Sequence, residues 1–226
     1  MKTLKFLKYP ITMAFAFCLL LISATAEQKE EAKINDSVAV LREFGKMKES
    51  IPHQLLQDTH GIIIIPKLIN AGLVVGGKRG KGVAMVKDAD GKWSDPVFVT
   101  LTGGSFGFQV GVQSVDLVLL FKHDGTLRTM GNGSFTLGGD LSVAAGPIGR
   151  SSSASTDYKL EAEVYSYSRS RGLFAGISLN GASLSVDETS NKAFYGDSYS
   201  AQARFAQTKS PSASVAELKS TLTGLQ

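Results

Sequence analysis

Turn signals separate short runs of β-branched and aromatic residues between residues 60 and 196, at intervals of about ten residues. Asn180-Gly181 is the dipeptide most typical of a two-residue β-hairpin, and His123-Asp124-Gly125 marks another turn. The apolar run over residues 62–65 lies between Gly61 and Pro66, which is typical of a strand buried on both faces. Such a pattern predicts an antiparallel β-sandwich or β-barrel.

Glycine is frequent, with 24 glycines in 226 residues, which is above average usage. Several lie inside predicted strands, among them Gly103-Gly104 and Gly138-Gly139. Glycine inside a strand marks a β-bulge, a corner, or the close approach of another backbone or of a ligand. We therefore expect glycine to allow strong curvature of the sheet.

A helix is predicted before the β-rich region, over residues 28–50. Ile34, Val38, Leu41 and Phe44 lie on one apolar stripe, and the other face mixes acidic and basic residues. A membrane-surface helix usually has a one-sided basic face, so packing on the domain is the favoured interpretation. A second short helix is expected over residues 52–58.

Residues 126–130 and 173–179 are assigned to further strands, and residues 197–209 to a linker. Ser210-Pro211 are typical of a helix start, and Val215, Leu218 and Leu222 then predict a weak C-terminal helix. The predicted fold class is α+β, with N-terminal helices packed on a glycine-rich antiparallel β-barrel or sandwich.

The N-terminal segment has the three parts of a secretory signal peptide. Lys2, Lys5 and Lys8 form a basic region, residues 11–22 form an apolar run, and Ala24-Thr25-Ala26 supplies the small residues of a cleavage site. The apolar run is shorter than the ~20 residues that a membrane-spanning helix needs. We therefore predict a signal peptide over residues 1–26, cleaved after Ala26, rather than a membrane anchor.

Cleavage would change both the charge and the cysteine content. The whole chain has 24 basic and 20 acidic residues, and removal of three lysines leaves 21 against 20, a formal net charge of +1. This balance gives no global case for nucleic-acid binding. The one cysteine, Cys18, lies within the predicted signal peptide, so the mature chain would have no disulfide and no cysteine metal ligand.

No catalytic motif is complete. Residues 72–78 match part of a phosphate-binding loop, but Arg79 stands where Ser or Thr would hold magnesium. His53, His60 and His123 show no metal-ligand spacing, and Ser105, the nearest match to a nucleophile elbow, has a strand context. We therefore predict no enzyme activity, no metal and no cofactor, with a serine hydrolase as the least favoured alternative.

Clusters of basic residues in glycine-rich surroundings are the strongest candidate site. Glycines let backbone N–H groups converge on an anion while cations supply charge, so these residues are predicted to bind the phosphate of a lipid headgroup. The run from Gly76 to Gly82 is placed between two strands. The alternatives are a solvated basic hairpin tip for the first cluster, and loop bracing by Arg150 and Arg171. The candidate residues are Lys78, Arg79, Lys81, Arg150, Arg169 and Arg171.

Several collinear stretches between residues 37 and 196 resemble the SYLF domain family. The resemblance implies that residues 27–196 form a lipid-binding domain for anionic phospholipids, which in eukaryotic members also binds actin filaments. In some animal members the lipid contact is attributed to a basic N-terminal amphipathic helix. The stretches are residues 71–82, Trp93-Ser94-Asp95-Pro96, and residues 103–111, 136–150, 167–179 and 194–196.

This chain departs from the family pattern in its charge-balanced N-terminal helix and its predicted signal peptide. Both weaken the actin and phosphoinositide interpretations, and the signal predicts export to a bacterial periplasm or outer envelope. The favoured function is a non-catalytic lipid-binding protein of the cell envelope that contacts anionic phospholipid headgroups. The alternative is a structural module that binds a polypeptide or filament partner.

Overall fold

The computed structural model describes residues 8–47, 51–72, 75–106, 111–146, 162–171, 173–208 and 212–226. Six α-helices are present in these ranges: α1 Lys8–Lys46, α2 His53–Gln57, α3 Gly125–Thr129, α4 Glu188–Tyr195, α5 Ala201–Phe205 and α6 Ala213–Gly224. The strands are β1 Gly61–Gly72, β2 Val75–Val86, β3 Val97–Phe106, β4 Gly111–Phe121, β5 Ser134–Leu137, β6 Val143–Ala145, β7 Val164–Ser170, β8 Leu173–Phe174 and β9 Ala182–Val186.

The strands form one curled sheet in the order β5-β9-β3-β2-β1-β4-β7-β6, with β8 paired to β7. The ladders are antiparallel except that between β6 and β7, which is parallel. The predicted α+β fold class, with helices packed on a glycine-rich sheet, is confirmed, and in place of the predicted antiparallel barrel or sandwich the described strands form one curled half-barrel sheet. The parallel pair at one edge makes the sheet mixed, a feature that the turn spacing did not predict.

Apolar side chains cover both faces of the sheet. On one face, here called the α1 face, strand residues such as Ile62 and Ile64 pack against α1, α2 and α6. On the opposite face, Ile63 and Ile65 pack with α3, α5 and the flanking strands. Successive residues of a strand point to opposite faces, so the predicted burial of residues 62–65 on both faces is confirmed.

Helix α1 packs through the stripe that its periodicity predicted. Ile34, Val38, Leu41 and Phe44 are all at most 3% exposed, so packing on the domain is confirmed for this part of the helix. Among the described residues, no helix is both long enough and apolar enough to span a membrane.

A β-bulge interrupts β1 beside the glycine-rich strand β2. The β1–β2 register shifts between Ile64 and Ile69, and Lys67 has a φ of 54°, a left-handed conformation that is uncommon outside glycine. A Cβ atom at Gly82 would lie 1.9 Å from the backbone oxygen of Ile64. At this position glycine permits the close approach of two backbones, which is one of the roles that the sequence left open for glycine inside a strand.

Three secondary-structure predictions were wrong: two predicted strands and one predicted linker. Residues 126–130, predicted as a strand, lie in α3 and the 3₁₀ turn that follows it, because Leu127 and Met130 are buried three residues apart on one helical face. Only the first two residues of the predicted strand 173–179 pair as a strand.

The predicted linker over residues 197–209 contains α5 instead. Ala201 and Phe205 of this helix are buried against the opposite face of the sheet. The predicted C-terminal helix is confirmed as α6, which buries Val215, Leu218 and Leu222 against the α1 face. Its predicted start at Ser210-Pro211 lies outside the described residues, and Ser212 caps the helix.

Candidate functional site

The first predicted basic cluster lies within strand β2, not in a connection between strands. Gly77 pairs with Ala71 of β1 on one side and with Gly104 of β3 on the other. The glycines are accommodated because neighbouring backbones pack closely here, so the strand continues through them. Strand alternation then separates the cations, placing Lys78 on the opposite face and Arg79 and Lys81 on the α1 face.

Lys78 is a buried structural residue. It is 6% exposed, and its Nζ donates a hydrogen bond to the backbone oxygen of Ser178. Burial lowers the pKa of Lys78 below its ordinary value because a low-dielectric environment disfavours the charged form. This side chain ties β2 to the segment that precedes β9 and is not presented to solvent.

Lys81 belongs to a polar cluster under helix α1. Its Nζ lies 2.6 Å from Oδ2 of Asp187, a residue that is 8% exposed. The hydroxyl of Ser190 donates to the same Oδ2 atom at 2.8 Å, and Nζ of Lys33 donates to that hydroxyl at 2.9 Å. These bonds connect α1, β2 and α4, so the Lys81 charge is compensated locally.

Arg169 is also compensated by acidic residues. It lies on β7, where Nη2 is 2.8 Å from Oδ2 of Asp116 on β4, and Nη1 is 3.6 Å from Oε2 of Glu43 on α1. Its side chain is only 15% exposed. The guanidinium thereby fastens α1 to two strands of the sheet.

Three of the described candidate residues are exposed: Lys81, which is paired with Asp187, and the two arginines Arg79 and Arg171. Neither arginine makes an ion pair or hydrogen bond with another described residue. Arg79 pairs with Ile69, and Ile69 pairs with Ser114 of β4. Arg150, the remaining predicted residue, lies outside the described residues.

Arg79, Ile69 and Ser114 form one row across β2, β1 and β4, and Arg171 lies beside the end of this row. The β4–β7 ladder ends at Asp116 and Arg169, and Arg171 lies in the turn between β7 and β8, with a φ of 50°. The hydroxyl of Ser170 donates to the backbone oxygen of Ser114 at 3.2 Å, so this turn is next to Ser114. Arg79 and Arg171 are therefore at the same end of the sheet, and β2 and β7 are three spacings apart in the strand order.

This row belongs to the end of the sheet that we call the hairpin end. Gly72 of β1 lies opposite Gly76 of β2 and Gly111 of β4, and Val75 lies opposite Phe106. The described residues of this end contain cations and no Asp or Glu. The end comprises residues 69–72, 75–79, 103–106, 111–114, 170–171 and 173–174.

A second buried ionic cluster lies away from the hairpin end, at the start of β3. Asp95 is 1% exposed, and its Oδ1 accepts a 2.7 Å bond from Nζ of Lys219 on α6. Arg204 of α5 approaches the other carboxylate oxygen at 3.9 Å. Burial raises the pKa of Asp95, although Lys219 and Arg204 oppose this shift. The cluster anchors the C-terminal helices, and sequence spacing gave no sign of it.

The described side chains do not assemble a recognisable catalytic centre. Ser190 lies near a lysine and a carboxylate, but it is 2% exposed and donates its proton to Asp187, so a substrate cannot reach the hydroxyl. The structure gives no description of the Ser105 side chain. Within the described ranges, no three His, Cys, Asp or Glu side chains group as a metal site.

Comparison with known families identifies the domain. Residues 102–225 match the Ysc84 family, described as "Las17-binding protein actin regulator". The chain belongs to this family. The resemblance to the SYLF domain family is thereby confirmed, and the matched Ysc84 region includes α5 and α6.

Curated relatives support the same assignment. The chain is 35% identical over 174 residues to the human "SH3 domain-containing YSC84-like protein 1", covering 74% of this chain and 50% of the relative. It is 33% identical over 172 residues to the Xenopus laevis protein of the same name, covering 76% and 51%. It is 34% identical over 183 residues to "LAS seventeen-binding protein 3" of Saccharomyces cerevisiae, covering 80% and 40%. The chain thus spans about half the length, or less, of the curated relatives it matches.

Proposed function

We propose that this Ysc84-family chain is a non-catalytic binding module of the cell envelope that attaches to anionic phospholipid through its hairpin end. The observation that carries the proposal is the position of Arg79 and Arg171. Of the predicted cations that the structure describes, these two are exposed and lack an acidic partner among the described residues, and the fold brings them to the same end of the sheet.

The chemistry of the two arginines suits a phosphate-bearing surface. An arginine guanidinium donates two parallel hydrogen bonds to phosphate oxygens and remains charged at all physiological pH values. Arg79 lies on β2 and Arg171 follows β7, which is three places away in the strand order, so the two side chains suit two lipid headgroups better than one. The absence of Asp and Glu from the described residues of this end leaves the positive charge uncompensated.

Vesicle co-sedimentation tests the proposal. The wild-type chain is expected to pellet with phosphatidylglycerol-containing vesicles, to pellet poorly with pure phosphatidylcholine, and to release as salt is raised. Because each basic residue near an anionic surface contributes ~1 kcal/mol, the double change Arg79→Ser and Arg171→Ser is expected to weaken binding about 30-fold.

The matched control is the double change Lys92→Ser and Lys192→Ser, which removes the same charge from exposed positions outside the hairpin end. This control is expected to bind anionic vesicles nearly as well as the wild type. If the arginine variant is folded and binds as well as the control at low salt, the proposed site is wrong.

The second candidate is a polypeptide or filament partner, and the names of the relatives favour it. The family description and the yeast relative's name both refer to binding of another protein, and the family description also names actin. The predicted export of this chain argues against a cytosolic filament. Co-sedimentation with actin filaments, in the absence of lipid, separates the candidates: saturable pelleting with filaments and indifference to anionic vesicles would favour the protein partner.

A further inference from the structure

The exposed large hydrophobic side chains of the described residues all lie at the hairpin end. They are Ile69, Val112 and Leu173, which are 42%, 75% and 73% exposed. Isolated exposed apolar side chains are common on protein surfaces. Their location at one end of the sheet, together with the two uncompensated arginines, is what requires an explanation.

Each arginine at this end has an apolar neighbour. Ile69 of β1 is the direct cross-strand partner of Arg79. Val112 of β4 lies opposite Ala71, which places it one diagonal step from Ile69 on the same face of the sheet. Leu173 begins β8, opposite Ser170 and two residues after Arg171.

We propose that the hairpin end penetrates the interfacial region of an anionic membrane, where Ile69, Val112 and Leu173 leave water and the long side chains of Arg79 and Arg171 reach the phosphates. The inference rests on the proposed function and extends it from headgroup contact to insertion. Apolar side chains gain free energy on leaving water, and the arginines neutralise the anionic headgroups that border the same layer.

The backbone at this end is suited to shallow insertion. The ladders between β1 and β2, between β1 and β4, and between β2 and β3 continue to the last described residues of these strands. Their N–H and C=O groups are therefore engaged in the sheet. This matters because an unpaired backbone group is costly to transfer out of water.

A membrane fits this surface better than a folded protein partner. A stable protein–protein interface buries about 800 Å² on each partner, whereas this end offers three separated aliphatic side chains. Its exposed described cations, Arg79 and Arg171, face no acidic residue among the described residues of that end. This charge complements an anionic bilayer, which supplies both negative headgroups and an apolar layer beneath them.

Site-specific fluorescence tests insertion directly. Cys18 is the one cysteine of the chain, so a Cys18→Ala background accepts single labelling sites at Val112→Cys or Leu173→Cys. An NBD label at either site is expected to brighten and shift to the blue with phosphatidylglycerol vesicles, and to be quenched by nitroxides on the lipid acyl chains. The control, Asp90→Cys, lies in the turn after β2, at the other end of the sheet, and its label is expected to stay in water.

A second measurement uses the unlabelled chain. The triple change Ile69→Ser, Val112→Ser and Leu173→Ser is expected to weaken vesicle binding about tenfold or more while retaining its salt dependence. The labelling experiment keeps the proposal falsifiable if this variant does not fold.

The outcomes separate the inference from the proposed function. Arginine-dependent pelleting with both labels still in water would overturn insertion and leave headgroup binding intact. Failure to pellet with any anionic vesicle would overturn both. Shielding of the labels by concentration-dependent self-association without lipid would identify a second copy as the occupant and overturn insertion.

Discussion

Asp116 on β4 and Arg169 on β7 are direct cross-strand partners, and their side chains meet with Oδ2 and Nη2 2.8 Å apart. The other carboxylate oxygen of Asp116 accepts a 3.0 Å hydrogen bond from the backbone N–H of Lys67, the residue with positive φ in the β1 bulge. Asp116 therefore stabilises the bulge and one of the predicted lipid-binding arginines together. This dual role explains why Arg169 is a structural residue in this fold.

Replacing Arg169 by Met is expected to lower the free energy of unfolding by about 1–3 kcal/mol, because the partly buried Asp116 loses a charged hydrogen-bond partner. Urea denaturation measures this change. Arg171→Met, at an exposed position two residues away, is the control and should change stability by less than about 0.5 kcal/mol. The two variants are expected to rank in the opposite order in vesicle binding: Arg171→Met should bind anionic vesicles more weakly than Arg169→Met.

Gly82 and Gly104 are expected to differ in whether they tolerate substitution by alanine. Gly82→Ala is expected to destabilise the chain by about 3 kcal/mol, because the new Cβ would overlap the backbone of the β1 bulge. Gly104→Ala meets nothing within 4 Å and should be nearly neutral. Equal thermal stability of the two variants would contradict the role assigned to Gly82.

Asn191 of α4 completes the hydrogen bonding of β3. Its Oδ1 accepts from the N–H of Phe98 at 2.9 Å, and its Nδ2 donates to the carbonyl of Phe98 at 2.8 Å. The Phe98 carbonyl also accepts from the N–H of Asp187 at 2.9 Å. Since Asn191 is fully buried, Asn191→Leu should therefore cost about 1–3 kcal/mol, chiefly because the Phe98 N–H is left unpaired. Chemical denaturation should show this loss, whereas Lys192→Leu, on the exposed side of the same helix, should be close to neutral.

The two buried aspartates should affect acid stability in opposite directions. Burial opposes ionisation of Asp187, but hydrogen bonds from Lys81 and Ser190 outweigh it, so the pKa of Asp187 lies below its ordinary value of 3.8. Its contribution is therefore present above pH 3.8 and is lost as the pH falls through its folded-state pKa. Burial raises the pKa of Asp95, so the contribution of Asp95 falls as the pH rises through that pKa.

Unfolding followed as a function of pH checks these signs. Asp187→Asn is expected to flatten the loss of stability below pH 3.8, and Asp95→Asn to steepen the loss on acidification above that pH. The informative quantity is the slope of unfolding free energy against pH, because each variant also changes stability at neutral pH. Slopes that change in the same direction would contradict this assignment.

Export and cleavage after Ala26 predict a mature chain that begins at Glu27. Among the α1 residues whose burial is described, from residue 27 onward, the first buried one is Glu30, so cleavage would leave every described buried residue in place. Expression with the N-terminal segment in a bacterial host, followed by intact-mass analysis of the periplasmic fraction, measures the cleavage position. A product that retains residues 1–26 would show that the segment acts as an anchor or is not processed.

The sequence alone was sufficient for features that depend on local periodicity or on collinear motifs. Ile34, Val38, Leu41 and Phe44 predicted the buried stripe of α1, and the continuous apolar run over residues 62–65 predicted a strand covered on both faces. The family assignment followed from the order of its motifs. In each case the signal lies in residues close together in the chain, or in their order.

The candidate site depended on register, which the sequence could not supply. Six cations in glycine-rich surroundings predicted phosphate contact, but strand alternation turned Lys78 inward, and long-range partners compensated Lys81 and Arg169. The sequence did not predict the exposure of Ile69, Val112 and Leu173, because exposed and buried aliphatic residues give the same strand pattern. A preceding glycine near a strand end was the available, but weak, signal for Val112 and Leu173, whereas Ile69 follows Leu68 and precedes Asn70.

The sequence by itself determined which segments are helical or extended where apolar periodicity was strong, and which family the domain belongs to. Only the tertiary structure decided which of the described candidate cations have an acidic partner and which do not. Whether a lysine or arginine is compensated depends on carboxylates far away in the chain, such as Asp187 for Lys81 and Asp116 for Arg169. The physical reason is that Coulomb interactions depend on distance in space, and a strand pairing sets that distance independently of separation along the chain.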